Sequence, residues 1–213
     1  MSVENTLYQN FKSYSQYRSY VNAKAQPQKR VNNNIAPLVG SAIGVAGAMA
    51  LCKKMPKSDS GFIEAARTFA MATGANIGGV LMGSIGANEE QKKKKWKEAG
   101  FQIMNIGIPM TLVTSILEVC KKVKVLNNNP AKIAGSIVGM VSGAIIATGI
   151  TNATRPQGAP IRKYTIKDSI ANFDDIAATI VIGFPQYEKL NAIAKTVLPF
   201  ICAYGGLRAG KKE

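Results

Sequence analysis

The chain has 213 residues, with 27 Lys and Arg against 12 Asp and Glu, a formal net charge of +15 and no histidine. Without histidine there are no Ser/His or Cys/His nucleophile pairs and no His-based metal sites. The odd set Cys52, Cys120 and Cys202, with no CxxC spacing, argues against a disulfide framework.

Residues 1–34 are rich in Ser, Asn, Gln and Lys, and carry aromatic residues at Tyr8, Phe11, Tyr14, Tyr17 and Tyr20. A spacing of three falls about 60° short of a full helical turn at each step, so the five rings spread around a helix instead of forming one face. The segment reads as a polar, basic amino-terminal tail. It has no apolar stretch of the kind that follows a basic start in a secretory signal.

Beyond the tail the apolar residues fall into blocks. Uncharged stretches cover Ile35–Cys52, then 68–88, 99–117 and 133–154. Each is close to the roughly 20 residues needed to cross a hydrocarbon core as a helix. Two weaker blocks follow: 176–187, which is short and has Asp174 and Asp175 beside it, and 190–207, interrupted by Lys195 and Pro199. The fifth block suits a short helix lying at the interface or re-entering from one side. The predicted fold class is therefore all-α, a membrane helical bundle of four to six spans. The mean hydropathy of +0.03 is low for such a protein. The polar tail and lysine-rich connectors lower it, and the apolar blocks are rich in Gly, Ala, Ser and Thr.

An internal repeat is visible. Asn32, Asn33 and Asn34 open the first block, and Asn127, Asn128 and Asn129 open the fourth. Aligned without a gap, the copies also share Ala36 with Ala131, Gly40 with Gly135, Ser41 with Ser136, and Gly44 with Gly139. Weaker echoes are Asp59 and Ser60 with Asp168 and Ser169, and Pro109 with Pro199. The predicted organisation is a tail at 1–34, a first half-repeat at 35–120, a connector at 121–126, and a second half-repeat with a basic end at 127–213. Three spans per half would insert the copies in opposite directions; two would keep them parallel.

Glycine recurs inside these blocks at intervals of four: Gly40 and Gly44, Gly74 and Gly78, Gly79 and Gly83, and Gly135, Gly139 and Gly143. In water each costs a helix about 1 kcal/mol relative to alanine. In lipid, residues four apart share a face on which a second backbone can approach closely, so these positions are predicted to pack helices. Proline within a helix frees the carbonyl four residues earlier, here that of Asn105 for Pro109 and of Lys195 for Pro199. With Asn76 these residues form a candidate polar midplane site, against which stands the plainer expectation of ordinary kinks and a snorkelling lysine.

The cations cluster in the connectors: Lys53, Lys54 and Lys57, then Lys92 to Lys95 with Lys97, then Lys121, Lys122 and Lys124, then Arg155, Arg162, Lys163 and Lys167. That placement predicts a bilayer with anionic head groups as partner, and argues against nucleic acid. With six spans, one face would hold 17 cations and the other 9, which favours both termini in the cytoplasm. No phosphate loop or dinucleotide fingerprint is present, so no enzyme activity and no cofactor are expected. The expectation is a pore, transporter or membrane-embedded assembly component, with homo-oligomers allowed. The alternative is a peripheral or soluble basic helical protein binding nucleic acid or acidic partners.

Overall fold

A computed structural model describes residues 35–56, 60–154, 161, 173–184 and 186–211. The aromatic tail, the first asparagine run, Lys57, Asp59, Arg155, Arg162, Lys163, Lys167, Asp168 and Ser169 lie outside the described residues, as do the side chains of Asp174 and Asp175. Among the described residues there are six helices and no strand. They are α1 (Ile35–Cys52), α2 (Gly61–Gly83), α3 (Glu89–Lys122), α4 (Asn129–Ala153), α5 (Phe173–Gly183) and α6 (Glu188–Lys211).

Local chemistry fixes several boundaries. Helix α2 closes at Ser84, whose N–H reaches back to the carbonyls of Val80 and Leu81. Gly86, at φ 75°, then reverses the chain in a conformation that a side chain would oppose. Asn88 starts α3 with a reciprocal cap: its side chain accepts from the Gln91 N–H at 2.8 Å, and its own N–H donates to Gln91 Oε1 at 3.2 Å. The second asparagine run has the same use. Asn128 accepts from the Ala131 N–H at 2.9 Å, and Pro130 sits in the first turn of α4, where its missing N–H costs nothing.

Helix α3 corrects the expected connector that carries Lys92 to Lys95 and Lys97. The lysine run is not a loop but the opening turns of a 34-residue helix, about 51 Å long at 1.5 Å per residue. The cap starts it, and the pairs Lys92–Glu89 at 2.8 Å and Lys94–Glu90 at 3.0 Å lie along its surface, so nothing breaks the helix before the apolar stretch begins. The weak block 190–207 also lies within one continuous helix, α6. The block at 176–187 contributes to α5, an 11-residue helix about 16 Å long, too short to cross a bilayer.

Four helices, α1, α3, α4 and α6, are long and apolar enough to cross a membrane. Helix α2, expected from the uncharged stretch 68–88, is not among them. It begins seven residues earlier, takes in Glu64 and Arg67, and ends before Ser84. Helix α2 packs against α1, α3, α5 and α6, and still leaves Phe62 and Leu81 exposed.

Helices adjacent in sequence run in opposite directions through α4. Gly40 and Gly44 of α1 face Gly78 and Gly74 of α2, while Gly135, Gly139 and Gly143 of α4 face Ile116, Val113 and Pro109 of α3. The start of α1, the end of α2, the first turns of α3 and the end of α6 therefore meet at one end of the bundle, where the Pro37 side chain and the Lys95 amine both reach Gly210. The opposite end gathers Gly61, Glu118, Leu117 and the close of α5 at Ile182 and Gly183.

If the reciprocal cap holds α3 in register, Asn88→Ala will lower stability by about 1 kcal/mol in detergent micelles. Asn128→Ala should cost a similar amount. Reversible unfolding in mixed micelles, followed by far-UV circular dichroism, measures both.

Candidate functional site

The bundle has an inverted distribution of side-chain size. Much of its interior is small residues, with Ala75, Ala147 and Ala209 fully buried and Ala72, Ala99 and Ala144 nearly so, beside a few large side chains such as Phe101 and Leu117. Large aliphatic and aromatic residues point outward: Ile35 is 70% exposed, Ile43 63%, Ile145 60% and Phe200 73%. On α4 the outward set also includes Ile133, Ile137, Val138, Val141 and Ile146. In water such faces would be a liability, because soluble monomers rarely expose contiguous apolar surface on this scale.

Many of the glycines lie where another helix comes close. A Cβ placed on Gly44 would lie 1.9 Å from the carbonyl oxygen of Gly74, and one on Gly40 would lie 2.1 Å from that of Gly78. One residue further along α2, and so about 100° around the helix, a second contact faces α6. A Cβ on Gly79 would stand 2.1 Å from the Gly206 oxygen, and one on Gly83 would stand 2.4 Å from that of Gly210. Ser41 lies where α1, α2 and α6 meet: its Oγ would be 2.6 Å from a Cβ on Gly79 and 2.7 Å from one on Gly206. That hydroxyl donates to the Pro37 carbonyl at 2.7 Å, so it presents no unmet donor to the junction. Its repeat counterpart Ser136 donates to the Lys132 carbonyl at 2.8 Å in the same way.

On α4 the contacts are of another kind. Cβ atoms on Gly135 and Gly139 would meet the Ile116 and Val113 side chains at 2.6 and 2.9 Å, and one on Gly143 would lie 2.3 Å from Pro109 Cα. Pro109 is thus seated in the α3–α4 contact.

The structure disperses the proposed polar midplane group. Asn76 and Asn105 are buried, at 0% and 1% exposure, and Pro109 is buried between α3 and α4. Pro199 is half-buried, and Lys195 is exposed on the outer side of α6, so the lysine is not brought to the asparagines. The Asn76 amide donates to the Ala72 carbonyl at 2.9 Å, while its Oδ1 accepts no hydrogen bond.

Two groups escape the sequence reading. Gly206 and Gly210 have the same four-residue spacing as the other pairs, and that spacing was the available signal. They lie beyond Pro199 and flank Arg208, at and past the end of the weaker block 190–207. The second group is Lys95, Glu98 and Gln102, which the lysine run disguised as solvated charge. Lys95 is 9% exposed and its Nζ donates to the Gly210 carbonyl at the closing turn of α6, where a cation meets the negative end of the helix dipole. Gln102 donates to Glu98 Oε1 at 2.9 Å. Intervals of three and four place all three residues on one face of α3, and that periodicity was the signal for burial.

A lateral cleft of about 550 Å³ lies between α2 and α3, lined by Phe62, Phe69, Met104, Ile108 and Thr111 among others. Its one hydroxyl, on Thr111, is spent on the Gly107 carbonyl at 2.8 Å. Among the described residues no three His, Cys, Asp or Glu side chains converge as a metal site would require. Comparison with protein families, curated proteins and solved structures finds no match for this chain.

The backbone contacts predict a contrast between glycines. Gly78→Val, forced against the Gly40 carbonyl, should abolish the folded bundle, seen as loss of a monodisperse species in detergent. Gly47→Ala and Gly149→Ala, where no atom lies within 4 Å of the new Cβ, should keep the fold. They should raise stability by up to about 1 kcal/mol through helix propensity.

Proposed function

We propose that this chain is an integral membrane protein without enzymatic activity, serving as a membrane-embedded assembly component. The observation that carries the reading is the inverted distribution: small residues inside, and Ile, Val, Leu and Phe outside on helices long enough to span. Lipid removes the penalty on the outer faces and offers no hydrophobic drive for large side chains to move inward. Helix association then relies on van der Waals packing, which glycine permits at the closest range. The α1–α2–α6 contacts support a glycine-packed core, because substitution at Gly40, Gly44, Gly74, Gly78, Gly79 or Gly83 would place carbon against a backbone carbonyl.

The close filling of α1, α2 and α6 favours a scaffold over a conduit through that trio. Transport is the second reading. It is favoured by the buried asparagines at positions 76 and 105, since polar groups inside membrane bundles usually serve a function.

Opposite directions of α1 and α4 support an inverted internal repeat, although the repeated glycines meet different partners, the α2 backbone in one copy and α3 in the other. With the start of α1, the end of α6 and the lysine run at one end of the bundle, we place that end in the cytoplasm, next to anionic head groups. Trp96, exposed between Lys94 and Lys97, suits the head-group level there.

The test is extraction of membranes prepared from cells making the protein. An integral bundle stays in the pellet through washes with sodium carbonate and concentrated salt, and is released only by detergent. Release by salt alone would show that charge holds the protein to its partner, and would favour the peripheral, acid- or nucleic-acid-binding alternative.

A further inference from the structure

Phe69, Thr73, Asn76 and Val80 follow one another on α2 at intervals of four, three and four, which places them on a single helix face. Contacts at both ends of the series show what that face meets. The Phe69 ring lies over Gly107 of α3, where a Cβ would come within 2.6 Å of Cε2. Val80 packs in a cluster with Ala99 of α3 and Ala209 of α6. Thr73 and Asn76 therefore look into the α2–α3 seam between two apolar seals.

Their oxygens are unmatched there. Asn76 is fully buried, its amide is spent on Ala72, and its Oδ1 has no donor. Thr73 Oγ1 is buried and has no partner either. Thr114 and Thr148 are isolated in the same way, while other helical hydroxyls are paired. Thr68, Thr111, Ser115, Thr151 and Thr196 all turn their hydroxyls back to the carbonyl four residues earlier. Thr73 does not, although that bond is open to any helical threonine.

We propose that Thr73 and Asn76 bind a water molecule in the α2–α3 seam. Water fits the chemistry: it supplies two donors, and the two oxygens, three residues apart on one helix face, both accept. A buried polar site with at least two partners is where ordered water is retained. An alkali cation fits less well, because both oxygens are neutral and the chain carries a net charge of +15. The site does not depend on choosing scaffold or transporter, since a water held between two helices would serve either.

The test uses full-length protein with ¹⁵N-labelled asparagine in deuterated detergent micelles. Magnetisation transfer from water to the Asn76 side-chain amide is recorded, with the signal assigned by its disappearance in Asn76→Asp and, independently, by its shift in Thr73→Val. A direct water contact at Asn76, lost in Thr73→Val and kept in Thr73→Ser while the other amide signals stay in place, is the expected result. Absence of that contact in the native chain, when exposed Asn129 in the same sample shows one, overturns the proposal. So does an Asn76 signal that moves when potassium chloride is replaced by choline chloride, which would assign the site to an alkali cation.

Discussion

Helix α2 meets two other backbones on adjacent faces, and the remaining helices are arranged around that constraint. Gly74 and Gly78 face the carbonyls of α1, while Gly79 and Gly83 face those of α6. Because consecutive residues on a helix are turned by about 100°, the two partners lie side by side around α2 and touch each other near Pro37 and Gly210. Helix α3 takes a third side and carries α4 on its own far face. At Gly74, Gly78, Gly79 and Gly83 the neighbouring backbone leaves no room for an added Cβ.

The same constraint explains the composition. Small residues fill the α1–α2–α6 contacts, Phe101, Ile106, Met110 and Leu117 of α3 pack inside, and the outer faces of α1, α4 and α6 are rich in Ile, Val and Phe. In water this arrangement would forfeit the usual gain from burying apolar surface, about 25 cal/mol per Å². In a bilayer it forfeits nothing, since the surrounding chains are as apolar as the side chains. The polar residues kept inside then need partners of their own. Lys95 has the end of α6, and Ser41, Ser136 and Thr68 have backbone carbonyls one turn back.

Part of this was legible in the sequence. The helical class and the first and fourth blocks follow from uncharged stretches of spanning length, and α1 coincides with Ile35–Cys52. Reading charge as a boundary failed in three places, for three reasons. Lysines 92 to 97 are helical because a cap and ion pairs carry α3 through them. Lys195 interrupts nothing because it points out of α6. Glu64 and Arg67 sit inside α2 because they pair with each other, and Arg67 also reaches the Pro56 carbonyl at 2.9 Å. Spacing picked out glycines but could not say which helix each would meet, since that depends on the order of packing around α2. For the polar candidates, position along a helix did not reveal facing: Asn76 and Asn105 turn in, while Lys195 turns out.

Everything in this arrangement requires lipid as the solvent of the outer faces, and α4 offers the cleanest ruler. Single nitroxide labels at positions 137, 141 and 145, introduced into a chain whose native cysteines are replaced by serine and reconstituted in vesicles, can be probed with oxygen and with a water-soluble nickel chelate. The bundle described above predicts frequent collisions with oxygen and almost none with the chelate at all three positions, against free access of the chelate at Asn127 in the α3–α4 connection. Equal access of the chelate to positions 137, 141, 145 and 127 would place α4 in water and contradict the account at its base.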